Sequence, residues 1–311
     1  MMNYIGHASK MTGRRLPVVR ALLMMRNLLA LSALFSLCTV SYASAASNFV
    51  TPDGSSLMKT TIDLPLQGVT LEYKANVRLL QVLDDANASF NANASSNESA
   101  SGGIGYFPLS AQLFDKTNTE ANEANKDIEA KKRNVFNQLD AFLVEEPEAK
   151  LVKQQLASLQ YLNRVFIELD RNAVISQSDK NPLLVSSSHT NKPSDSQTQA
   201  FSLYLPQRPT SIQLMGAMKE SVTMNLIEHG TLNDYLDALP NGFMGESVDK
   251  SVAYVVQPDG VVQTIQYAYW NEQPVYLAPG AIVFMAFYSL PSEYSTLNQD
   301  IVDLLRHKVG L

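Results

Sequence analysis

Cysteine is all but missing from this chain, with Cys38 the single example in 311 residues. A disulfide framework, a thiolate zinc site and a cysteine nucleophile are therefore excluded from everything that follows it. Histidine is scarce too: His7, His189, His229 and His307 are so scattered that no His/Asp/Glu set shows ligand spacing on a helix or strand. No Gly-x-Ser-x-Gly occurs, so the nucleophile elbow of a serine hydrolase is absent. Positive charge is in deficit, and a net negative chain has no electrostatic reason to seek nucleic acid, whose phosphates must be neutralised by Lys and Arg. A long apolar run is missing as well. The longest, Leu28 to Val40, is too short to span a bilayer comfortably, and no stable membrane insertion is expected.

That short run belongs to a distinctive beginning. The first 45 residues carry five basic side chains (Lys10, Arg14, Arg15, Arg20, Arg26) and no acidic one, then the apolar run, then Tyr42-Ala43-Ser44-Ala45. This is the pattern of a secretory leader cut after Ala45, where small residues suit a signal peptidase. Lipid attachment at Cys38 fits less well, because Leu37 stands where a small residue is wanted. Removal of residues 1–45 leaves 19 of the 24 basic residues against 30 acidic ones, a formal charge of −11. The mature chain of about 265 residues must then hold its fold by burial alone, and it is long enough for two modest cores.

Apolar alternation over Ile62, Leu64, Leu66 and then Val69, Leu71, Tyr73, broken by Gln67-Gly68, predicts a β-hairpin. A short helix is expected from Ala75 to Leu83. The Asn/Ala/Ser/Gly stretch over residues 87–103 cannot bury a core face and reads as a disordered loop. The clearest helical stripe follows, with Ile128, Val135, Phe136, Leu139, Phe142 and Leu143 between Thr119 and Val144. Pro147 stops it, and a second stripe runs to Leu162 through Leu151, Val152, Leu156 and Leu159, so residues 119–163 form an inserted helical hairpin. Val165, Ile167 and Leu169 return to a period of two, and Phe201 to Leu205 closes a first domain, residues 46–206.

A second domain, residues 207–290, opens with a strand over Ser211 to Gly216 and a second around Val222 and Met224. A helix behind the capping box Thr231/Asp234 and strands on either side of Pro258-Asp259-Gly260 come next, ahead of a last strand from Ala281 to Phe287. Hairpin, helix, strands is the order of a β-grasp module, a mixed sheet curled around one helix. Residues 291–311 complete the chain as an amphipathic helix capped by Ser292, with Arg306, His307 and Lys308 at its C-terminal end, where helix carbonyls favour cations.

Candidate chemistry is sparse. Glu168 and Asp170 would share one face of a strand, which suits a solvated outer face better than sugar hydrolysis. Tyr267 and Tyr269 fall on one strand face with Ile265, which favours packing over sugar stacking for the cluster they form with Trp270 and Tyr276. Arg164, at the junction where the helical hairpin rejoins the sheet, is the ligand-binding candidate, either as a guanidinium fork for an acidic sugar or as an ion pair pinning hairpin to sheet. No catalytic residue, metal or cofactor is expected.

From Tyr204 onward the chain resembles the capsule biosynthesis family GfcC. The resemblance is carried by Pro206-Gln207-Arg208-Pro209, the strand Ile212 to Gly216, Leu232-Asn233-Asp234-Tyr235-Leu236, Pro258-Asp259-Gly260, Trp270-Asn271, Ala278-Pro279-Gly280 and Leu297-Asn298-x-x-Ile301-Val302. Asn181-Pro182-Leu183-Leu184-Val185 and Arg164 match further upstream. The resemblance implies an α+β protein of the periplasm with two β-grasp domains similar to the SLBB-like ones of the outer-membrane polysaccharide export channel. It also implies a helical hairpin inserted in the first, a C-terminal amphipathic helix, and no catalytic activity. Arg164 would lie in a pocket between sheet and insertion. The expected role is that of a monomeric, non-enzymatic accessory to capsule or exopolysaccharide export, in contact with the polysaccharide or with the export channel. A polysaccharide-modifying enzyme is the alternative.

Overall fold

Alternating apolar residues and tight turns at glycine produce two sheets with one strand order. In a computed structural model, which describes residues 59–93, 105–117, 123–186, 198–240, 242–272 and 275–310, the first sheet starts with the hairpin β1 (Lys59–Leu64) and β2 (Val69–Tyr73). Helix α1 (Leu79–Asn93), β3 (Gln112–Asp115), the helical hairpin α2 (Glu123–Phe142) and α3 (Ala149–Ala157), β4 (Asn163–Val165), the short α4 (Arg171–Ser176) and β5 (Thr198–Tyr204) follow. The second sheet is built from β6 (Ser211–Gly216), β7 (Val222–Asn225), α5 (Leu232–Asp237), β8 (Val248–Val256), β9 (Val262–Gln266) and β10 (Ile282–Phe287), with α6 (Leu297–Leu305) closing the chain. The fold is mixed α+β. The expected leader, residues 1–45, lies outside the described residues.

Strand order is β2-β1-β5-β3-β4 in one sheet and β7-β6-β10-β8-β9 in the other. Each begins with an antiparallel hairpin, places its last strand in the centre parallel to its first, and pairs that central strand antiparallel to the third. The equivalence extends to the edges, where the fourth strand pairs only with the third. At the end of β6, Gly216 has φ +117°, and an added Cβ would overlap the Met285 backbone of β10, so only glycine lets the two strands approach there.

Two cores result. α1 lays Leu79, Val82, Leu83 and Ala86 against Ile62, Leu64, Leu113, Phe201 and Leu203 of the first sheet. The second core gathers β6, β8 and β10 with α5 and α6, and it also takes Ile128, Val135, Leu139, Phe142, Val152 and Leu156 from α2 and α3. The helical hairpin therefore interrupts the first sheet in sequence and buries its apolar stripe with the second. Every residue of β10, Ile-Val-Phe-Met-Ala-Phe, is buried, which is the run expected of a strand covered on both faces. Gln155 of α3 fastens this contact, its amide accepting from Gly216 N at 2.8 Å and donating to Gly216 O at 3.0 Å.

Three expectations need correction. The helix expected over Ala75 to Leu83 starts later and runs through Asn93 into the stretch read as loop, while residues 94–104 lie outside the described residues. Composition misled because one large side chain is enough to anchor a run of small ones: Ala86 is fully buried, and Phe90 packs on the same core with its ring 6.5 Å from that of Tyr106. The N-terminus of α1 is capped from far along the chain, Leu80 N donating to Asn181 Oδ1 at 2.9 Å. The strand expected through Leu169 pairs only as far as Val165, although Val165, Ile167 and Leu169 do share the first core. Finally, Ser292 opens a single 3-10 turn, and α6 begins after Thr296, whose Oγ1 donates to Asp300 Oδ2 at 3.1 Å.

Candidate functional site

Beyond β4 the chain leaves the sheet without leaving the protein, and a cavity of about 970 Å³ opens along it. Its walls come from Phe107 to Leu109, from Arg164 to Asp170, from Asp179, Lys180 and Pro182, and from Asp259 in the β8–β9 turn of the second sheet. The lining combines the apolar Phe107, Leu109, Phe166 and Ile167 with the charged Arg164, Glu168, Asp170, Asp179, Lys180 and Asp259. Phe166 and Leu109 are 43% and 37% exposed, so large apolar surface stays accessible there.

Arg164 stands where the two sheets meet. It sits opposite Phe114 in the β3–β4 register, is only 7% exposed, and donates from Nη2 to Pro258 O at 2.5 Å, with Ala111 O at 3.5 Å. Burial pushes its guanidinium down to about 10, Asp259 opposing that shift and Arg306 adding to it, so it stays charged at neutral pH. The ion pair expected to pin hairpin to sheet is not what Arg164 makes: among the described residues its guanidinium bonds main-chain carbonyls of Pro258 in the β8–β9 turn and of Ala111, neither of them on the hairpin. The same side chain still lines the cavity.

A second guanidinium joins it. Arg306 donates from Nε to Gly260 O at 2.9 Å and lies 4.5 Å from the Phe166 ring centre, while Arg164 lies 5.5 Å from the same ring. Gly260 has φ +88°, and an added Cβ would stand 2.5 Å from Phe166 Cε1, so this glycine both makes the turn and seats the ring. His307 packs edge-on against Phe166, ring centres 5.4 Å apart, and its Nδ1 accepts from Arg164 N at 3.2 Å. Accepting there requires neutral imidazole with its proton on Nε2. Burial, reinforced by Lys131, Arg306 and Arg164, lowers its pKa to about 4 and keeps it neutral. The tail was read as cations beside helix carbonyls. In the fold, His307 O accepts from Leu162 N and Val309 N donates to Gln160 O, so the tail pairs with the segment leading into β4.

The two carboxylates considered for sugar chemistry are not side by side on a strand. Glu168 accepts from Asp170 N at 3.0 Å and from Lys180 Nζ at 3.1 Å, which holds it below the usual carboxylate range. Asp170 caps α4, accepting from Asn172 N at 2.9 Å. Both line the cavity, and both carboxylates are engaged in holding its wall.

The aromatic cluster is split. Tyr267 is buried and donates to Asp249 O at 2.5 Å, whereas Tyr269, Trp270 and Tyr276 are 96%, 77% and 74% exposed. Packing was expected for Tyr269 by alternation, but β9 ends at Gln266 and the period of two ends with it. Among the described residues no group of three or more His, Cys, Asp or Glu is placed to hold a metal ion, and no helix is long and apolar enough to cross a membrane. His189 lies outside the described residues.

Sequence reasoning found Arg164 but missed Phe166, Arg306, His307 and Asp259 as its neighbours. A signal existed for one of them: Pro258-Asp259-Gly260 was noted as a turn, yet nothing in its sequence says that it faces β4.

Comparison with known proteins places this geometry in context. Residues 220–310 match the family described as Capsule biosynthesis GfcC C-terminal. A relative, the uncharacterized protein YjbG of Escherichia coli (strain K12), is 26% identical over 160 residues. That alignment covers 51% of this chain and 59% of the relative, so the chain spans less than two thirds of that protein's length.

Proposed function

We propose, from the match of residues 220–310 to the capsule biosynthesis GfcC C-terminal family, that this protein is a non-enzymatic accessory to capsule or exopolysaccharide biosynthesis and export. It works in the periplasm after loss of its leader, as a monomer. Its two sheets are β-grasp modules of the SLBB-like kind, and they meet the polysaccharide, or a component of the export channel, with the cavity at their junction. The observation that carries this reading is the cavity itself. An apolar part of the lining with an accessible phenyl ring suits the flat face of a pyranose. The surrounding carboxylates and the Lys180 ammonium suit its hydroxyls.

The test is direct binding. Capsular oligosaccharide titrated into the purified protein is expected to shift the amide signals of Phe166, Asp179 and Lys180, and Phe166→Ala is expected to weaken binding at least tenfold while the fold is retained. Undiminished binding by that variant, or oligosaccharide shifts confined to other surfaces, would remove the cavity from the proposal. An Arg164→Ala protein that folds but no longer binds would assign the guanidinium to the ligand as well as to the turn.

A polysaccharide-modifying enzyme is the second reading, favoured only by Glu168 and Asp170 lining the same cavity. Their engagement with Lys180 and with main-chain donors speaks for a wall instead. Incubating the protein with capsule and finding new reducing ends or unsaturated sugars would reverse that preference.

A further inference from the structure

Phe166, the exposed ring of the large cavity, is the first residue beyond Val165, the last paired position of β4, so no ladder fixes where its side chain stands. What surrounds the ring comes from other parts of the chain. The β8–β9 turn brings Gly260, which admits the ring only because it has no Cβ. The tail after α6 brings Arg306, whose guanidinium carbon lies 4.5 Å from the ring centre, and His307, edge-on at 5.4 Å. Arg164 stands farther off, at 5.5 Å, and donates to Pro258 O. Arg306 and His307 themselves are not part of the cavity's lining.

The tail is tied down on several sides. His307 O accepts from Leu162 N at 3.1 Å, Val309 N donates to Gln160 O at 2.9 Å, and Gly310 N donates to Gln112 Oε1 at 2.9 Å. His307 Nδ1 also accepts from Arg164 N at 3.2 Å. These bonds join the tail to β3, to β4 and to the segment entering β4, while Arg306 Nε donates across to Gly260 O of the second sheet at 2.9 Å. A guanidinium held at its Nε keeps its plane in one orientation, and a cation within about 6 Å of a ring centre attracts that ring. A free phenyl ring must give up rotamer freedom when a sugar stacks on it. A ring already held gives up less, and the difference appears as affinity.

We propose that Arg306 is a positioning residue for the large cavity: without touching the bound sugar it holds Phe166 in the pose on which the sugar stacks, so that docking of the tail and occupancy of the cavity favour each other. The inference rests on the reading of that cavity as the polysaccharide site, and it adds a means of regulation. Whatever draws the tail away lowers the cavity's affinity, and by reciprocity a bound sugar holds the tail in place.

Calorimetric titration with oligosaccharide cut from the producing strain's capsule tests this in four proteins: the unaltered chain, Phe166→Ala, Arg306→Met and the double variant. Arg306→Met keeps most of the stem and removes the guanidinium, and it is expected to weaken binding about three- to tenfold. In the Phe166→Ala background the same change is expected to have no further effect, which a purely structural role of Arg306 would not produce. Arg306→Lys retains the charge and serves if the methionine protein does not fold; a loss of about twofold is expected from it, again absent without Phe166. Amide exchange at Leu162 and Val309, both in bonds that join the tail to the chain before β4, is expected to slow at saturation by at least the factor lost in Arg306→Met. If Phe166→Ala binds as tightly as the unaltered chain, the cavity reading fails and this inference with it. If Phe166→Ala weakens binding but neither Arg306 variant does, if the losses multiply in the double variant, or if exchange at Leu162 and Val309 is unchanged at saturation, the role of Arg306 is overturned and the cavity reading stands.

Discussion

The two sheets have the same strand order and the same pattern of parallel and antiparallel pairing, yet they are covered in different ways. In the first, α1 is a helix of 15 residues and covers its sheet largely by itself. In the second, the equivalent α5 has six residues, too short to bury a five-stranded sheet, and the missing cover is supplied by α2, α3 and α6. The contrast is sharpest at one corner. Between β8 and β9 the chain makes a tight turn at 257–261, whereas between β3 and β4 it inserts residues 116–162. A hairpin corner at a sheet edge accepts such an insertion readily because no ladder partner is lost there. What the insertion contributes is burial for the other sheet, and the two equivalent corners end in contact, with Arg164 of β4 bonded to Pro258 of the β8–β9 turn.

If the helical hairpin is the second sheet's cover, damaging it must weaken that sheet. Phe142, buried in α2, packs edge-on to Phe287 and against Tyr294, ring centres 5.3 Å away in both cases. Phe142→Ala is expected to cost about 4 kcal/mol in urea unfolding, with amide exchange accelerated in β8 and β10. Loss of protection confined to the helical hairpin would break the comparison.

The next largest effect concerns the seam. His307 has its pKa lowered from 6.5 to about 4 by burial. Above pH 6.5 it is neutral whether folded or not, and its contribution is fully present. As pH falls from 6.5 towards 4 the unfolded chain takes up the proton first, so stability declines, by roughly 3 kcal/mol in total. His307→Gln is expected to flatten this part of the pH–stability curve, and a curve that stays unchanged would place the titrating group elsewhere.

Gln155→Ala would leave the Gly216 N–H buried without its partner, while Gly216 O keeps the bond from Met218 N, at a cost of about 2 kcal/mol measured by denaturant titration. At the small end, Trp270→Ala removes an exposed side chain and is expected to change stability by less than about 0.5 kcal/mol. A larger loss there would reveal packing of the β9–β10 connection that the first sheet has no counterpart for.

Much of this architecture could be read in advance. Alternation located β1, β2, β6 and β8 closely, a continuous apolar run located β10, a 3.6-residue stripe located α2, and the Thr231/Asp234 box set the start of α5, where the Asp234 carboxylate accepts from Thr231 N at 2.6 Å. Those signals are local, because each records which face of one element must leave water. The extension of α1 was hidden because Ala86 and Phe90 gain their burial from a sheet distant in sequence, and Tyr269 was misread because periodicity does not announce where a strand stops.

Of the site, the sequence offered Arg164 and the turn at Pro258-Asp259-Gly260 as separate facts. By itself it determined the elements, the acidic balance of the chain, and the scarcity of nucleophiles and metal ligands, since these follow from composition and from contacts within a few residues. Only the tertiary structure decided that the inserted helices serve the second sheet. Only it brought Phe166, Arg306 and His307 around one buried guanidinium, because that meeting depends on how two separately closed sheets dock, and docking is set by surfaces that no single stretch of chain contains.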